Sequence, residues 1–170
     1  MAAQGNKAWT NSTFDTYNYS ENSSLYLGCY NMQSLKNTPS VAFNHLLDIE
    51  NLYDSAWAEY SIDGNEWNRI GCANCGTNFY GNMNGAAKWD KTLMPWQVAS
   101  SKINIDTTLN NQHVFIRVRL QSDEGIVGEG LAIDDWHVYA TNYTIPLNDS
   151  VFIDTVSNGN GWIPILKDDK

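Results

Sequence analysis

Apolar and polar residues alternate at period two in several short stretches, the pattern of a strand with one face buried. The clearest runs over 113–120, where Val114, Ile116, Val118 and Leu120 share one face and Phe115, Arg117 and Arg119 the other. A second covers 55–62, with Ala56, Ala58, Tyr60 and Ile62 opposite Trp57, Glu59 and Ser61. Asp63-Gly64 follows at once, a strong hairpin signal, and 66–70 reads as the returning strand. Further strands are expected at 24–27, 41–48, 96–105 and 131–140. Residues 71–91 form a long loop dense in Gly, Asn and aromatics, expected to be functional or packed over the sheets. No amphipathic helix stands out, although 48–54 has room for one helical turn or a bulge. The pattern predicts an all-β fold, a two-sheet antiparallel β-sandwich. Residues 1–140 are read as the sandwich domain. Residues 141–149 are polar with Pro146 and 151–166 are too short to fold alone, so 141–170 is read as a linker or the start of a following unit. No internal repeat is visible.

Composition narrows the partners. A chain of 170 residues suits one domain with its own core. Seven Trp, nine Tyr and five Phe favour strands and large contact areas. The formal charge of −9, with no basic stripe, argues against nucleic acid. No stretch approaches the ~18 apolar residues needed to cross a bilayer, so no membrane insertion is expected. The opening Met-Ala-Ala-Gln-Gly lacks an apolar h-region, and the chain is read as a piece of a longer protein with covalently linked neighbours. Cys72 and Cys75 have zinc-ligand spacing but no second pair follows, so the expectation is a local loop disulfide or two free thiols. Cys29 stands alone.

Four blocks carry a family resemblance. One joins Val41-Ala42-Phe43 and Asp54 to Ala58-Glu59-Tyr60-Ser61-Ile62-Asp63-Gly64 and Trp67; another is Gly76-Thr77-Asn78-Phe79-Tyr80. The third is Ile116-Arg117-Val118-Arg119-Leu120-Gln121-Ser122-Asp123. The most specific is Gly128-Glu129-Gly130-Leu131-Ala132-Ile133-Asp134-Asp135-Trp136-His137-Val138. Together they resemble the MAM-like jelly-roll domains of large secreted bacterial proteins, notably multidomain adhesins and exported peptidases of Bacteroidetes. The resemblance covers roughly residues 24–140. It implies a jelly roll of the MAM or galactose-binding kind, an extracellular or cell-surface location and no enzyme activity. The chain lacks the cysteine pattern of eukaryotic MAM domains, and Leu131 stands where an aromatic often precedes Ala-Ile-Asp-Asp.

Three groups of side chains are candidates for function. Asp134 and Asp135, adjacent on a strand, should point to opposite faces, one of them inward or to the rim. Related jelly rolls often hold a structural Ca²⁺ near such an aspartate with help from an N-terminal acid. That implies a metal set drawn from Asp134, Asp135, Asp54, Asp15 and Glu21, hard oxygen donors suited to Ca²⁺. Asp134 could instead pair with Arg117 or Arg119, or accept backbone N–H bonds. In the long loop, Phe79, Tyr80 and Trp89 could stack on sugar faces while Asn78 binds hydroxyls, or the rings could plug the sandwich. His45, His113 and His137 are scattered on separate strands, with no Gly-x-Ser-x-Gly elbow or phosphate loop beside them, and are read as structural or surface residues. Asn11, Asn18, Asn22, Asn142 and Asn148 begin Asn-x-Ser/Thr sequons, which arise by chance in an Asn-rich chain. The expected function is a non-catalytic extracellular binding or adhesion module whose partner is a surface glycan or protein. The alternative is a structural accessory or carbohydrate-binding domain beside a secreted peptidase or glycosidase.

Overall fold

The computed structural model describes residues 2–3, 7–12, 16–32, 37–80, 86–104 and 113–140, together with the backbone of three short strands beyond them. Among these the chain forms β1 (Lys7–Thr10), β2 (Asn22–Asn31), β3 (Ser40–Asp48), β4 (Ser55–Ser61), β5 (Asn68–Arg69), β6 (Leu93–Lys102), β7 (His113–Gln121), β8 (Gly130–Ala140), β9 (Tyr143–Thr144), β10 (Leu147–Asp149) and β11 (Ile163–Leu166). No helix occurs among the described residues.

The strands make two antiparallel sheets. One has the order β11-β1-β8-β3-β6 with β9 beside β8; the other has the order β10-β2-β7-β4-β5. From β1 to β8, every connection except the β4–β5 hairpin passes from one sheet to the other, the interleaving of a jelly roll. The stretch 141–170 contributes β9, β10 and β11, which pair with β8, β2 and β1.

Alternation places the core. Val114, Ile116, Val118 and Leu120 of β7 are all fully buried, as are Ala56 and Ala58 of β4 beside them. From the facing sheet come Val41, Phe43, His45 and Leu47 of β3, with Leu131, Ile133 and Val138 of β8. Each large aliphatic so buried stabilises the fold by roughly 1.5–3 kcal/mol.

Departures from simple alternation have local causes. β6 begins at Leu93, three residues before the expected start, and tolerates Pro95 because it is an edge strand with a bulge: His45 pairs with Gln97 but Leu47 with Leu93. The return of the hairpin is reduced to Asn68–Arg69, since Ile70 has already turned inward to full burial. Residues 48–54 do hold one turn, closed by Asp54 N–H donating to the Glu50 carbonyl at 3.1 Å. In β8, Asp135 has φ +52° and inserts one extra residue opposite Phe43. Ile133 and Trp136 can then both address the core, and Trp136 stacks on Phe43 at 4.7 Å.

Candidate functional site

The described parts of the loop, residues 71–80 and 86–91, seal one side of the sandwich. Its backbone pairs with β6 through Thr77 and Ser100, and with β4 through Trp89 and Ala56, so it spans the gap between the edges of the two sheets. Cys72 and Cys75 are joined in a disulfide with Cα atoms 5.1 Å apart. A Cβ on Gly76 would collide with the Ser100 carbonyl, so only glycine lets the loop lie this close. Positive φ at Asn78 (47°) and Tyr80 (59°) turns the chain so that Phe79 and Tyr80 both enter the interior.

Phe79, Tyr80 and Trp89, read above either as open rings for a ligand or as plugs of the sandwich, are 1%, 5% and 1% exposed. Phe79 and Trp89 each meet Phe43, at 6.0 and 5.8 Å, and Tyr80 meets Trp89 at 4.7 Å. The small Ala56 and Ala58 on β4 leave the space these rings fill. The Tyr80 hydroxyl donates to the Ala58 carbonyl and accepts from its N–H, both at 3.2 Å, and burial pushes its phenol pKa up. Burying such rings is worth more to a sandwich with an open side than leaving their faces in water. Asn78 remains exposed, its amide donating to the Val98 carbonyl at 2.9 Å. Tyr80 and Trp89 still show edges to a pocket of about 220 Å³, completed by Asn78, Lys91, Leu93 and Gln97.

The acids gather elsewhere. Asp54 is fully buried. The Tyr17 hydroxyl donates to it in a very short hydrogen bond, and the backbone N–H groups of Asp123 (3.0 Å) and Glu50 (3.4 Å) donate to it as well. Desolvation, reinforced by this carboxylate, raises the Tyr17 phenol pKa. Glu50, Asp54 and Asp123 each offer an oxygen within 4.8 Å of the others. Glu50 also accepts from Ile126 N–H at 2.8 Å, and Asp123 from Gly125 N–H at 2.6 Å. A Cβ on Gly125 would stand 2.6 Å from Glu50 Oε2 and 2.8 Å from Asp123 Oδ1, so both carboxylates converge on that backbone. No described Lys or Arg pairs with the three. An all-oxygen set of this kind suits a hard divalent cation.

Of the acids singled out in the sequence, Asp54 alone belongs to this group. Glu21 is buried nearby, accepting from the Asn18 amide at 2.9 Å and sharing backbone bonds with Ser122. Asp15 lies outside the described residues. Of Asp134 and Asp135, one of which was expected to point inward or to the rim, neither is fully buried; beside the bulge Asp134 is half-buried and Asp135 exposed. Asp134 accepts from Asp135 N–H at 2.7 Å, and Arg117 pairs with Glu59 on the other sheet instead. Along β8, Asp134 is four residues past Gly130, roughly 13 Å of strand from the acidic end. Glu50 and Asp123 were missed because nothing local marks them. The order β2-β7-β4 brings the end of β7 beside the starts of β2 and β4.

His45 is fully buried in the core, with its ring 5.2 Å from Trp89. Its Nδ1 shares a hydrogen bond with the Gln97 carbonyl at 3.1 Å. Desolvation lowers its pKa to about 4, against the partial support of that carbonyl, so at neutral pH it is an uncharged core residue. His137 lies on the opposite surface of β8, its Nδ1 3.1 Å from the Asp135 carbonyl. No protein-family model matches the chain, and no curated protein matches its sequence.

Proposed function

We propose that this chain is a non-catalytic, extracellular binding module of the MAM-like jelly-roll kind, and that it takes one saccharide unit of a surface glycan in the pocket beside the sealing loop. The observation that carries this reading is the composition of that pocket. Edges of Tyr80 and Trp89 with Leu93 give an apolar floor, while Asn78, Gln97 and Lys91 supply polar groups at the rim. Among the described residues its lining contains no carboxylate, histidine, serine, threonine or thiol, and the Tyr80 hydroxyl is tied to the Ala58 backbone. At about 220 Å³ it is smaller than the ~300–1,000 Å³ of pockets that engulf a whole ligand, which suits the end or one ring of a larger molecule. The Cys72–Cys75 disulfide supports an oxidising compartment outside the cytosol. In the same reading a structural Ca²⁺ is held by Glu50, Asp54 and Asp123, tying together the loops before β4 and after β7.

Because Trp89 lines the pocket, its fluorescence reports occupancy. Titration with a panel of soluble oligosaccharides is expected to give a saturable change for at least one sugar class. Asn78→Ala and Gln97→Ala should weaken that binding roughly tenfold, as expected for one lost polar contact each. A signal that stays flat across the panel, together with an empty glycan array, would sink the saccharide reading and favour a structural accessory role.

A further inference from the structure

The chain has three arginines, Arg69, Arg117 and Arg119, and all three lie on the solvent side of the β2-β7-β4-β5 sheet. Register places them there. Arg117 stands between Tyr26 of β2 and Glu59 of β4, and Glu59 faces Arg69 across β5. One row along, Arg119 stands beside Trp57. Each guanidinium is laid against an aromatic ring. Arg117 sits 3.8 Å from the Trp67 ring centre, and Arg69 and Arg119 bracket Trp57 at 4.0 and 5.3 Å. The rings hold the forks in place at little entropic loss.

Charge on this face does not balance. Among the residues of β2, β7, β4 and β5 that share it, Glu59 is the only carboxylate. Glu59 is fully engaged: it pairs with Arg117 at 2.7 Å and accepts from the Trp57 indole N–H at 2.5 Å. Arg69 donates to the Ala87 carbonyl at 2.6 Å and Arg119 to the Asn22 side chain, both uncharged partners. Arg119 Nε is buried and donates to nothing described. Among the described side chains of these four strands two positive charges are therefore left over, on a protein whose formal charge is −9. Desolvation lowers the pKa of Arg69 and of Arg119, so their charges are held against a solvation penalty that an ion-paired ligand would relieve.

We propose that this face is a second binding site, for an anionic polysaccharide bearing sulfate or carboxylate groups. Guanidinium forks recognise such groups through two parallel hydrogen bonds. Arg117 is held by Glu59 with its side chain only 13% exposed, so the forks left for a ligand are Arg119 on β7 and Arg69 on β5, on either side of β4 and both laid against Trp57. An extended chain can cross β4 and meet both forks, whereas the rings beneath are covered and give a neutral sugar little to stack on: Trp57 is 5% exposed. The negative charge of the rest of the molecule confines a polyanion to this face.

The test is direct binding of the whole chain to heparin, polygalacturonate, dextran and poly-glutamate at 50 and 200 mM salt. Heparin or polygalacturonate should bind, dextran should not, and affinity should fall roughly tenfold or more between the two salt concentrations. Arg69→Gln/Arg119→Gln should weaken binding at least tenfold with an unchanged circular dichroism spectrum. Should that double variant unfold, Arg69→Gln alone, at an exposed edge position, should weaken it about threefold. Lys102→Gln on the other sheet and Asn78→Ala in the pocket should leave it unchanged, which separates this site from the pocket. The proposal is overturned if neither anionic polysaccharide binds at 50 mM salt, if the arginine variants bind like the parent, or if poly-glutamate binds as tightly as the polysaccharides, which would make the face a site for acidic peptides.

Discussion

The sealing loop and the acidic end solve the same problem by opposite means. Both close an opening of the sandwich with irregular backbone. At the side, loop 71–91 does so with rings: Phe79, Tyr80 and Trp89 leave water almost completely and pack on Phe43. At the end, the loops around Glu50, Asp54 and Asp123 do so with carboxylates that accept backbone N–H groups. The first closure is non-directional and draws on apolar area. The second is directional, concentrates negative charge and leaves oxygen lone pairs spare. The side is therefore the stronger structural joint, and the end is the place where an ion can change stability.

Removing a ring should separate the two most sharply. Trp89→Ala is expected to cost about 3–5 kcal/mol in urea unfolding, by lost burial plus the cavity left behind. The same experiment on Asn78→Ala, whose side chain is exposed, should show less than about 0.5 kcal/mol.

Acid comes next. His45 lies against Trp89, and its folded pKa of about 4 is below the usual 6.5. Above pH 6.5 it is neutral in both states and its contribution is complete. As pH falls from 6.5 towards 4, the unfolded chain takes up a proton that the folded chain refuses, and stability is lost through that window by about 3 kcal/mol. Urea midpoints for the parent and His45→Gln between pH 7.5 and 4 should converge as pH falls, because only the parent loses this contribution; parallel curves would show that the histidine is not the group responsible.

At the acidic end, Asp54→Asn disturbs the bonds from Tyr17, Glu50 and Asp123 and should cost about 1–3 kcal/mol. If the cluster holds Ca²⁺, saturating calcium raises the melting temperature of the parent and not of this variant, with a stabilisation of about 2.7 kcal/mol at a hundred times Kd. A parent melting temperature that is indifferent to excess EDTA removes the ion from the account. A modest effect is expected of the Cys72–Cys75 bridge. Its four-residue loop restricts the unfolded chain only slightly, so Cys72→Ser/Cys75→Ser should cost at most about 2 kcal/mol and leave the near-ultraviolet signature of the buried rings in place.

Much of the fold was legible because strands announce themselves locally. The faces of β7 could be assigned from Val114 to Leu120 alone, and the Asp63-Gly64 turn located the β4–β5 hairpin. β1 escaped notice: Lys7–Thr10 is four residues long, with too few alternations to register, and gains its place from pairing with β8. The candidate site was far less legible. Asn78, Tyr80 and Trp89 do meet at one pocket, but whether their rings would face water or core depended on the positive φ angles at Asn78 and Tyr80 and on the space beside Ala56 and Ala58. The Asp134–Asp135 expectation assumed unbroken alternation, which one inserted residue in β8 cancels.

Residue order alone determined that this chain forms short, half-buried strands in two antiparallel sheets, because side-chain alternation is a property of neighbours along the chain. Tertiary structure decided which distant residues share a neighbourhood. Arg69 joins Arg117 and Arg119 around Trp57, and Glu50 and Asp54 join Asp123, only because β7 lies beside β4 in one register. That register is set by packing the two sheets against each other, and no local pattern contains it.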